Sequence, residues 1–366
     1  MHMAESRRAW RIDRAGSLDR LHSVTEPLAP PGPGEARVAV KAIGLNFADV
    51  FACLGLYSAT PKGPFVPGLE FAGVIEAIGP PAGADACATL QNALQTGTRV
   101  VGLTRFGGYA TTLNADVRFL RPLRDAWSFE EGAAFPVQAL TAWYGLVRLA
   151  RVDRAEVVLV HSAAGGVGLN ALDILQGLGA RAIATVGDPA KVPFLTGRTG
   201  LAPHAIIVRD GVRDGARFGV QLDAALRAAG AQGFDVVFDA IAGPYFRPAY
   251  MRLRPEGRHV IYGAADYMTR GARPNYLRLL PRYLRRPRLD PVQMIAENRS
   301  VLAFNLIWLW DAIERLAPGY DALEGLITRP PFVGRTFTFD AVPRAMRWLQ
   351  GGESVGKVVV SVSNEK

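Results

Sequence analysis

Val157-Val158-Leu159-Val160-His161-Ser162-Ala163-Ala164-Gly165-Gly166-Val167-Gly168 is the stretch of this chain best suited to chemistry. An apolar, β-prone run enters a glycine corner, and Leu169, Leu172, Ile174, Leu175 and Leu178 leave it at helical spacing. Strand, glycine turn and helix in this order suit a dinucleotide phosphate. Glycine lets the backbone approach a pyrophosphate, and the helix aims unpaired N–H groups and the positive end of its dipole at it. The pattern is A-x-G-x-x-G, with Ala163 where the first glycine usually stands. Ala164, Gly165, Gly166 and Val167 are the expected contacts. A glycine-rich corner also arises for packing alone, so its flanks have to decide.

An NAD-preferring fold usually places an acid where the second strand ends, to hold the ribose 2′-hydroxyl. Here that strand reads Ala182-Ile183-Ala184-Thr185-Val186, and Gly187 follows. With no carboxylate at that end to repel a 2′-phosphate, NADPH is expected over NAD. Lys191, one turn further, is the candidate phosphate partner. Asp188 lies between them with the wrong charge; Pro189 suits it to an N-cap whose carboxylate turns toward helix N–H groups.

The elements that must hold this corner follow from composition and pattern. A chain of 366 residues is long enough for two domains, and 49% hydrophobic with 20% charged residues is a globular composition. No apolar run is long enough to span a bilayer, and the first residues carry no apolar signal core, so a cytoplasmic protein is expected. Two cysteines, Cys53 and Cys87, make no disulfide framework and exclude a four-cysteine zinc site. The net charge of +9 comes from Arg spread along the chain, with Lys only at positions 41, 62, 191, 357 and 366. Nucleic acid is therefore not an expected partner.

Residues 7–135 read as short strands between Gly/Pro turns, at Ala36–Ala42, Gly73–Ile78, Arg99–Gly102 and Tyr109–Leu113. That spacing suggests a partly closed barrel, with 79–96 as a surface loop. From about 137 to 300, strands at 156–161, 181–186, 204–209, 234–239 and 258–263 alternate with helices at 167–179, 216–229 and 244–252. Alternation of this kind implies a parallel, doubly wound sheet. Residues 266–299 interrupt it, and Pro274–Arg288 within them is basic and aromatic. The expected reading is a solvated amphipathic insertion near the substrate mouth or a subunit contact. An anionic membrane surface or an RNA backbone is the other, although three prolines argue against one long interfacial helix. Ser300–Leu306 reads as a strand and Ile307–Leu316 as a helix. Phe337–Phe339, Val342–Leu349 and Lys357–Val362 read as a return to the first domain.

Ile43-Gly44-Leu45-Asn46-Phe47-Ala48-Asp49-Val50, Gly55-Leu56-Tyr57 and Pro67-Gly68-Leu69-Glu70-Phe71-Ala72-Gly73 join the Ala163–Gly168 corner in a wider resemblance. Together they resemble the medium-chain dehydrogenase/reductases, and within them the zinc-independent quinone oxidoreductases of zeta-crystallin type. Glu297–Leu306 and Val355-Gly356-Lys357-Val358 are similar to the branch related to vesicle amine transport protein. The resemblance runs through nearly the whole chain in order. It implies an α/β fold with a GroES-like β-barrel domain, residues 1–136 and 306–366, plus a Rossmann doubly wound parallel-sheet domain, residues 137–305, carrying the basic insertion 266–299. It also implies a homodimer. In the zinc alcohol dehydrogenases a Cys, a His and a later Cys or Asp hold the catalytic metal. The corresponding positions look like Asn46, Leu69 and Gln138. Leucine has no lone pair to give and neutral amides are poor zinc ligands, so no metal is expected.

The resemblance sets Asn46, Asp49 and Tyr57 near nicotinamide and substrate. Asn46 would bond a ribose or carbonyl oxygen, and Tyr57 a substrate oxygen or a relayed proton. Asn46 and Asp49 are also suited to capping the following helix, and Tyr57 to simple wall packing. The further cofactor contacts expected are Thr141, Gly187, Gly263, Phe304, Asn305 and Lys357. Without a Lewis acid, hydride delivery from NADPH to an electrophilic π-system is easier than oxidation of an alcohol. A quinone or an enone is the expected small-molecule substrate. An NADPH-binding interaction or membrane-associated protein with little turnover, and an enoyl-thioester reductase, are the alternatives.

Overall fold

The computed structural model describes residues 6–82, 94–209 and 214–363, so Cys87 and much of the expected 79–96 loop lie outside the described residues. In chain order the elements begin with β1 (Ser6–Ile12), β2 (Leu21–Pro27), β3 (Glu35–Gly44), α1 (Phe47–Cys53), β4 (Glu70–Ile78), β5 (Arg99–Leu103), β6 (Thr112–Asp116) and β7 (Leu120–Pro122). Then come α2 (Phe129–Ala133), α3 (Pro136–Trp143), β8 (Val157–Val160), α4 (Gly166–Leu178), β9 (Arg181–Val186), α5 (Lys191–Thr199), β10 (Ile206–Val208), α6 (Gly215–Ala228) and β11 (Phe234–Asp239). The chain ends with α7 (Phe246–Tyr250), β12 (Leu253–Ile261), α8 (Tyr276–Leu284), α9 (Pro291–Glu297), β13 (Ser300–Ala303), α10 (Ala317–Leu326), β14 (Val333–Thr338), α11 (Val342–Gly351) and β15 (Lys357–Ser361).

These elements form two compact units. The first holds the described residues through Val137, then Thr269–Asn275 and the chain from Pro330 onward; the second holds Gln138–Met268 and Tyr276–Arg329. The expected return to the first domain at residue 306 is thus displaced to Pro330. Residues 306–329 stay with the second unit because small residues let α10 lie close to its neighbours. A Cβ on Gly319 would fall 2.7 Å from the Trp143 ring, and one on Gly177 would meet Leu326 at 3.0 Å. The expected insertion 266–299 is also divided. Residues 269–275 are fastened in the first unit, where Gln350 Nε2 donates to the carbonyls of Thr269 (2.7 Å) and Gly271 (2.9 Å).

In the first unit a seven-stranded sheet runs in the order β14-β15-β3-β4-β5-β7, with β6 added on β3, while β1 and β2 form a separate antiparallel ribbon. The strand expected at Tyr109–Leu113 lies three residues later. Thr112–Asp116 pair with β3, whereas the Tyr109 carbonyl and the Thr111 N–H bond Trp10 and Arg8 of β1 at 2.9 Å. The segment serves two ladders and bends between them. Gly44 ends β3 where a Cβ would sit 2.1 Å from the Ala133 carbonyl, so only glycine lets α2 approach there.

The second unit is a six-stranded sheet in the order β10-β9-β8-β11-β12-β13, with every pair parallel. Continuous apolar strands such as Val157–Val160 are buried throughout, as a parallel sheet covered on both faces requires. Leu159, Phe234 and Val237 pack with Leu222, Leu226 and Phe246 of the covering helices. β12 begins at Leu253, earlier than the expected 258, and a register shift against β11 absorbs the extra residues. The helix expected at Ile307–Leu316 is instead a 3-10 segment, Leu306–Arg315, broken at Ala312 (φ −124°, ψ 50°).

Candidate cofactor and active site

In the second unit, β8 leads into buried His161 and then Ser162, which adopts a left-handed conformation (φ 54°) that opens the turn. The Gly165 N–H donates to the Ser162 carbonyl at 2.9 Å, and the Leu169 N–H returns to the Gly165 carbonyl at 2.9 Å. By helix geometry the N–H groups of Gly166, Val167 and Gly168 therefore have no intrahelical acceptor. The glycines divide the labour. A Cβ on Gly168 would lie 2.6 Å from Ala163 Cα, so this residue brings α4 against the turn. A Cβ on Gly165 would meet only the Ser162 carbonyl at 3.3 Å, which leaves its backbone open to an approaching group. A Cβ on Gly166 would stand 2.7 Å from Gln138 Oε1, so the buried Gln138 amide lies against the same corner. Ala163 is fully buried and occupies the first position without needing glycine's freedom. The corner fits a pyrophosphate at the N-terminus of α4.

The end of β9 is where the sequence reading expects the cofactor's ribose to be read. Val186 is buried, and Gly187 follows it. The Asp188 carboxylate accepts the Ala190 N–H at 2.9 Å, so it is turned onto the start of α5, of which Lys191 is the first residue. Arg209, one residue past β10, does what the sequence did not signal. Its backbone N–H bonds the Val186 carbonyl at 2.8 Å, its Nε lies 3.4 Å from the same oxygen, and its guanidinium stands over the Tyr245 ring at 5.2 Å. A Cβ on Gly187 would meet Arg209 Nη2 at 3.6 Å. A cation thus stands where NAD enzymes keep their acid. Parallel pairing of β9 with β10 puts it there, which is why spacing along one strand could not reveal it.

Other expected contacts are scattered over this unit. Thr141 is buried on α3. Gly263 follows β12, with room for no Cβ beside the Ala240 carbonyl (2.5 Å). Phe304 donates its N–H to the Ile261 carbonyl at 3.1 Å and packs its ring 5.0 Å from Tyr144; Asn305 is the extended residue that precedes the 3-10 segment.

The first unit brings Asn46, Asp49 and Lys357 together with two residues not expected in the site, Glu70 and Tyr109. The Asn46 N–H donates to Asp49 Oδ2 at 2.8 Å, so Asp49 does cap α1. Asn46 Nδ2 donates to Glu70 Oε1 at 2.9 Å, and Asn46 Oδ1 accepts from Lys357 Nζ at 2.9 Å. Lys357 also forms a short ion pair with Glu70, whose other oxygen accepts the Val137 N–H at 2.8 Å. Tyr109 donates to Asp49 Oδ2 at 3.0 Å. Burial pushes the Asp49 carboxyl up; the Asn46 N–H, the Lys357 charge and the Tyr109 hydroxyl pull it back, and Glu70 pushes up again, leaving it at about 7. Burial holds the Lys357 ammonium below its usual value against the pull of Glu70. Tyr57 lies on the segment after α1, half-buried, its carbonyl accepting from the Thr60 hydroxyl at 2.7 Å.

The zinc positions suggested by the resemblance do not make a zinc site. Asn46 is engaged by a carboxylate and an ammonium, Leu69 offers no donor, and Gln138 packs against the glycine corner. An ammonium bound to Glu70 also puts a cation where a metal would need lone pairs.

The sequence matches two known families: the alcohol dehydrogenase GroES-like domain over residues 32–125 and the zinc-binding dehydrogenases over residues 215–360. It is 30% identical over 359 residues to the human synaptic vesicle membrane protein VAT-1 homolog, covering 96% of this chain and 85% of that protein. Mycobacterial Rv1454c, solved in complex with NADPH, has a similar structure, with a TM-score of 0.78, 26% identity and coverage of 97% of this chain and 99% of that one. So does the CurK enoyl reductase, with a TM-score of 0.77, 26% identity and coverage of 98% and 99%. The chain belongs to the medium-chain dehydrogenase/reductases, an oxidoreductase family, in the quinone-oxidoreductase-like branch related to the VAT-1 homologues.

Proposed function

We propose that this protein is an NADPH-dependent reductase of quinones or enones that works without a catalytic metal. The observation that carries this reading is the second unit's pairing of an open glycine corner with Arg209 at the end of β9. The corner suits the pyrophosphate, and the guanidinium suits a 2′-phosphate, with Lys191 at the start of α5 as a second cation. The mycobacterial neighbour's complex with NADPH supports the same cofactor. When bound, the dihydronicotinamide supplies the hydride. Gln138, Thr141 and Phe304 line the nicotinamide side in this reading, with Gly263 and Asn305 as backbone contacts. In the first unit, Asn46 is held in place by Glu70 and Lys357, and Asp49, which accepts the Tyr109 hydroxyl, keeps or releases a proton near neutrality. Tyr57 is the hydrogen-bond donor to a substrate oxygen. A homodimer in the cytoplasm remains the proposed setting.

The experiment follows NADPH absorbance with purified protein against naphthoquinones, short enones and enoyl thioesters. Turnover of quinones or enones is the expected result. The likeness to the CurK enoyl reductase favours one second reading, in which the thioesters alone turn over. Tight NADPH binding with no turnover of any acceptor would abandon both.

A further inference from the structure

Among the described residues Arg209 is held by a carbonyl oxygen and an aromatic ring, not by a carboxylate. Its Nε lies 3.4 Å from the Val186 carbonyl, and its guanidinium carbon stands 5.2 Å from the centre of the Tyr245 ring. Nη1 and Nη2 donate to no acceptor among those residues. A carboxylate in place of the ring would fix the same side chain, but it would cancel the charge and take the donors. An aromatic face attracts a guanidinium without doing either. The contact therefore orients Arg209 and still leaves its charge and its Nη donors for an anion.

The ring is itself held from several sides. Tyr245 is buried and ends the 3-10 turn Gly243–Tyr245, between β11 and α7. Phe218 of α6 meets it edge-on at 5.0 Å, and the His161 ring lies 6.5 Å away. The turn that carries it has little freedom. Asp239 Oδ1 accepts the Ile241 and Ala242 N–H groups, and the Ala240 and Ile241 carbonyls accept the Ala265 and Asp266 N–H groups at 3.1 Å. Ala242 adopts φ 57° and ψ −145°, a conformation that a residue with a Cβ keeps only where its surroundings impose it. A Cβ on Gly243 would lie 2.5 Å from Asp266 Cγ. In the strand order β10-β9-β8-β11, the turn leaves the sheet at the end of β11. Its ring reaches past β8 and β9 to the residue after β10, along the edge where such sheets take their ligands.

We infer that Tyr245 is a positioning residue that sets cofactor specificity: its ring aims the Arg209 guanidinium at the 2′-phosphate and so favours NADPH over NADH. This rests on the proposed reading of Arg209 as the phosphate partner. A tyrosine that only packs supports both cofactors alike. A positioning ring acts on the cofactor that carries the 2′-phosphate, and acts only through Arg209.

The test is titration calorimetry of NADPH and NADH with the full chain. Two variants remove the ring, Tyr245→Leu and Tyr245→Met, so that the result does not hang on one repacking of the core. Tyr245→Phe keeps the ring. The preference for NADPH over NADH should narrow about fivefold or more in the first two and stay within about twofold of wild type in the third. In an Arg209→Ala background, removing the ring should change the preference no further. An unchanged preference in the leucine and methionine variants, while Arg209→Ala narrows it, overturns the role of Tyr245 and leaves Arg209 as the phosphate partner. A phenylalanine variant that behaves like leucine moves the effect from the ring to the hydroxyl and overturns it too, as does narrowing of equal size with and without Arg209. Equal loss of both cofactors in Arg209→Ala instead removes the reading of Arg209 on which the inference stands.

Discussion

Asp49 in the first unit and Asp239 in the second are both fully buried, yet their carboxyls move in opposite directions. Burial alone would raise both. Asp239 ends β11 with a complete set of donors: Oδ1 accepts the Ile241 and Ala242 N–H groups at 2.7 and 2.9 Å, and Oδ2 faces His259 Nε2 at 3.0 Å. His161, His259 and the Ala242 N–H outweigh burial and hold this carboxyl well below the usual range. Asp49 crowds its donors, the Asn46 N–H and the Tyr109 hydroxyl, onto Oδ2, while buried Oδ1 has no hydrogen-bond partner among the described residues. The cation that pulls on it, Lys357, is already paired with Glu70. The contrast shows that donor count, more than depth, decides whether a buried acid is fixed or titratable. Asp239 fastens the turn after β11, and Asp49 is the one positioned to exchange a proton near neutrality.

The largest test strikes the charge balance of the first cluster. Lys357→Met leaves Glu70 buried without its cation and should cost about 3–5 kcal/mol in chemical denaturation. Adding Glu70→Gln should recover much of that loss; no recovery would mean that Lys357 packs rather than pairs.

Asp49 comes next. Its folded value is raised, so the stability it contributes is present at acid pH and is lost as pH rises from about 4 through about 7, by as much as about 4 kcal/mol. In Asp49→Asn the amide oxygen can accept both donors and the amide nitrogen replaces the unpartnered oxygen. Stability at pH 8 should then match or exceed wild type, and the decline across that window should flatten. An unchanged slope would assign the proton elsewhere.

His161 gives the opposite sign in the second unit. Burial first, then the Arg209 and His259 charges, hold it down to about 4 against the pull of Asp239. The stability it contributes is present above its ordinary 6.5 and is lost as pH falls toward about 4, by about 3 kcal/mol. His161→Gln should remove that acid limb in a urea titration series. The two units thus respond oppositely over nearly the same window, and wild-type protein should show a shallow net dependence that the two variants pull apart.

The smallest effect concerns Arg209. Unlike Lys357, it is paired, among the described residues, with a carbonyl oxygen and a ring face rather than a carboxylate. Arg209→Ala should weaken NADPH about tenfold to a hundredfold and NADH little, as read by titration calorimetry. Equal loss for both cofactors would return the 2′-phosphate to Lys191.

Local physics made much of this legible. The continuous apolar run at Val157–Val160, the glycine corner and the helical spacing after it are dictated by backbone permissiveness and burial, and each can be read along one strand or one helix. Asn46 and Asp49 were legible as a cap pair because they lie three residues apart. The basic, proline-broken segment at 274–288 was legible in composition, but not the direction its apolar side faces. What the linear order could not decide is which distant groups share a buried volume. Glu70 and Lys357 meet across 287 positions, and Arg209 reaches the end of β9 only because the parallel sheet sets β10 beside it. The same holds for the return at Pro330 and for the opposite fates of two aspartates. Ionisation depends on every donor within a few ångströms, and those neighbours are set by packing in three dimensions, not by adjacency along the chain.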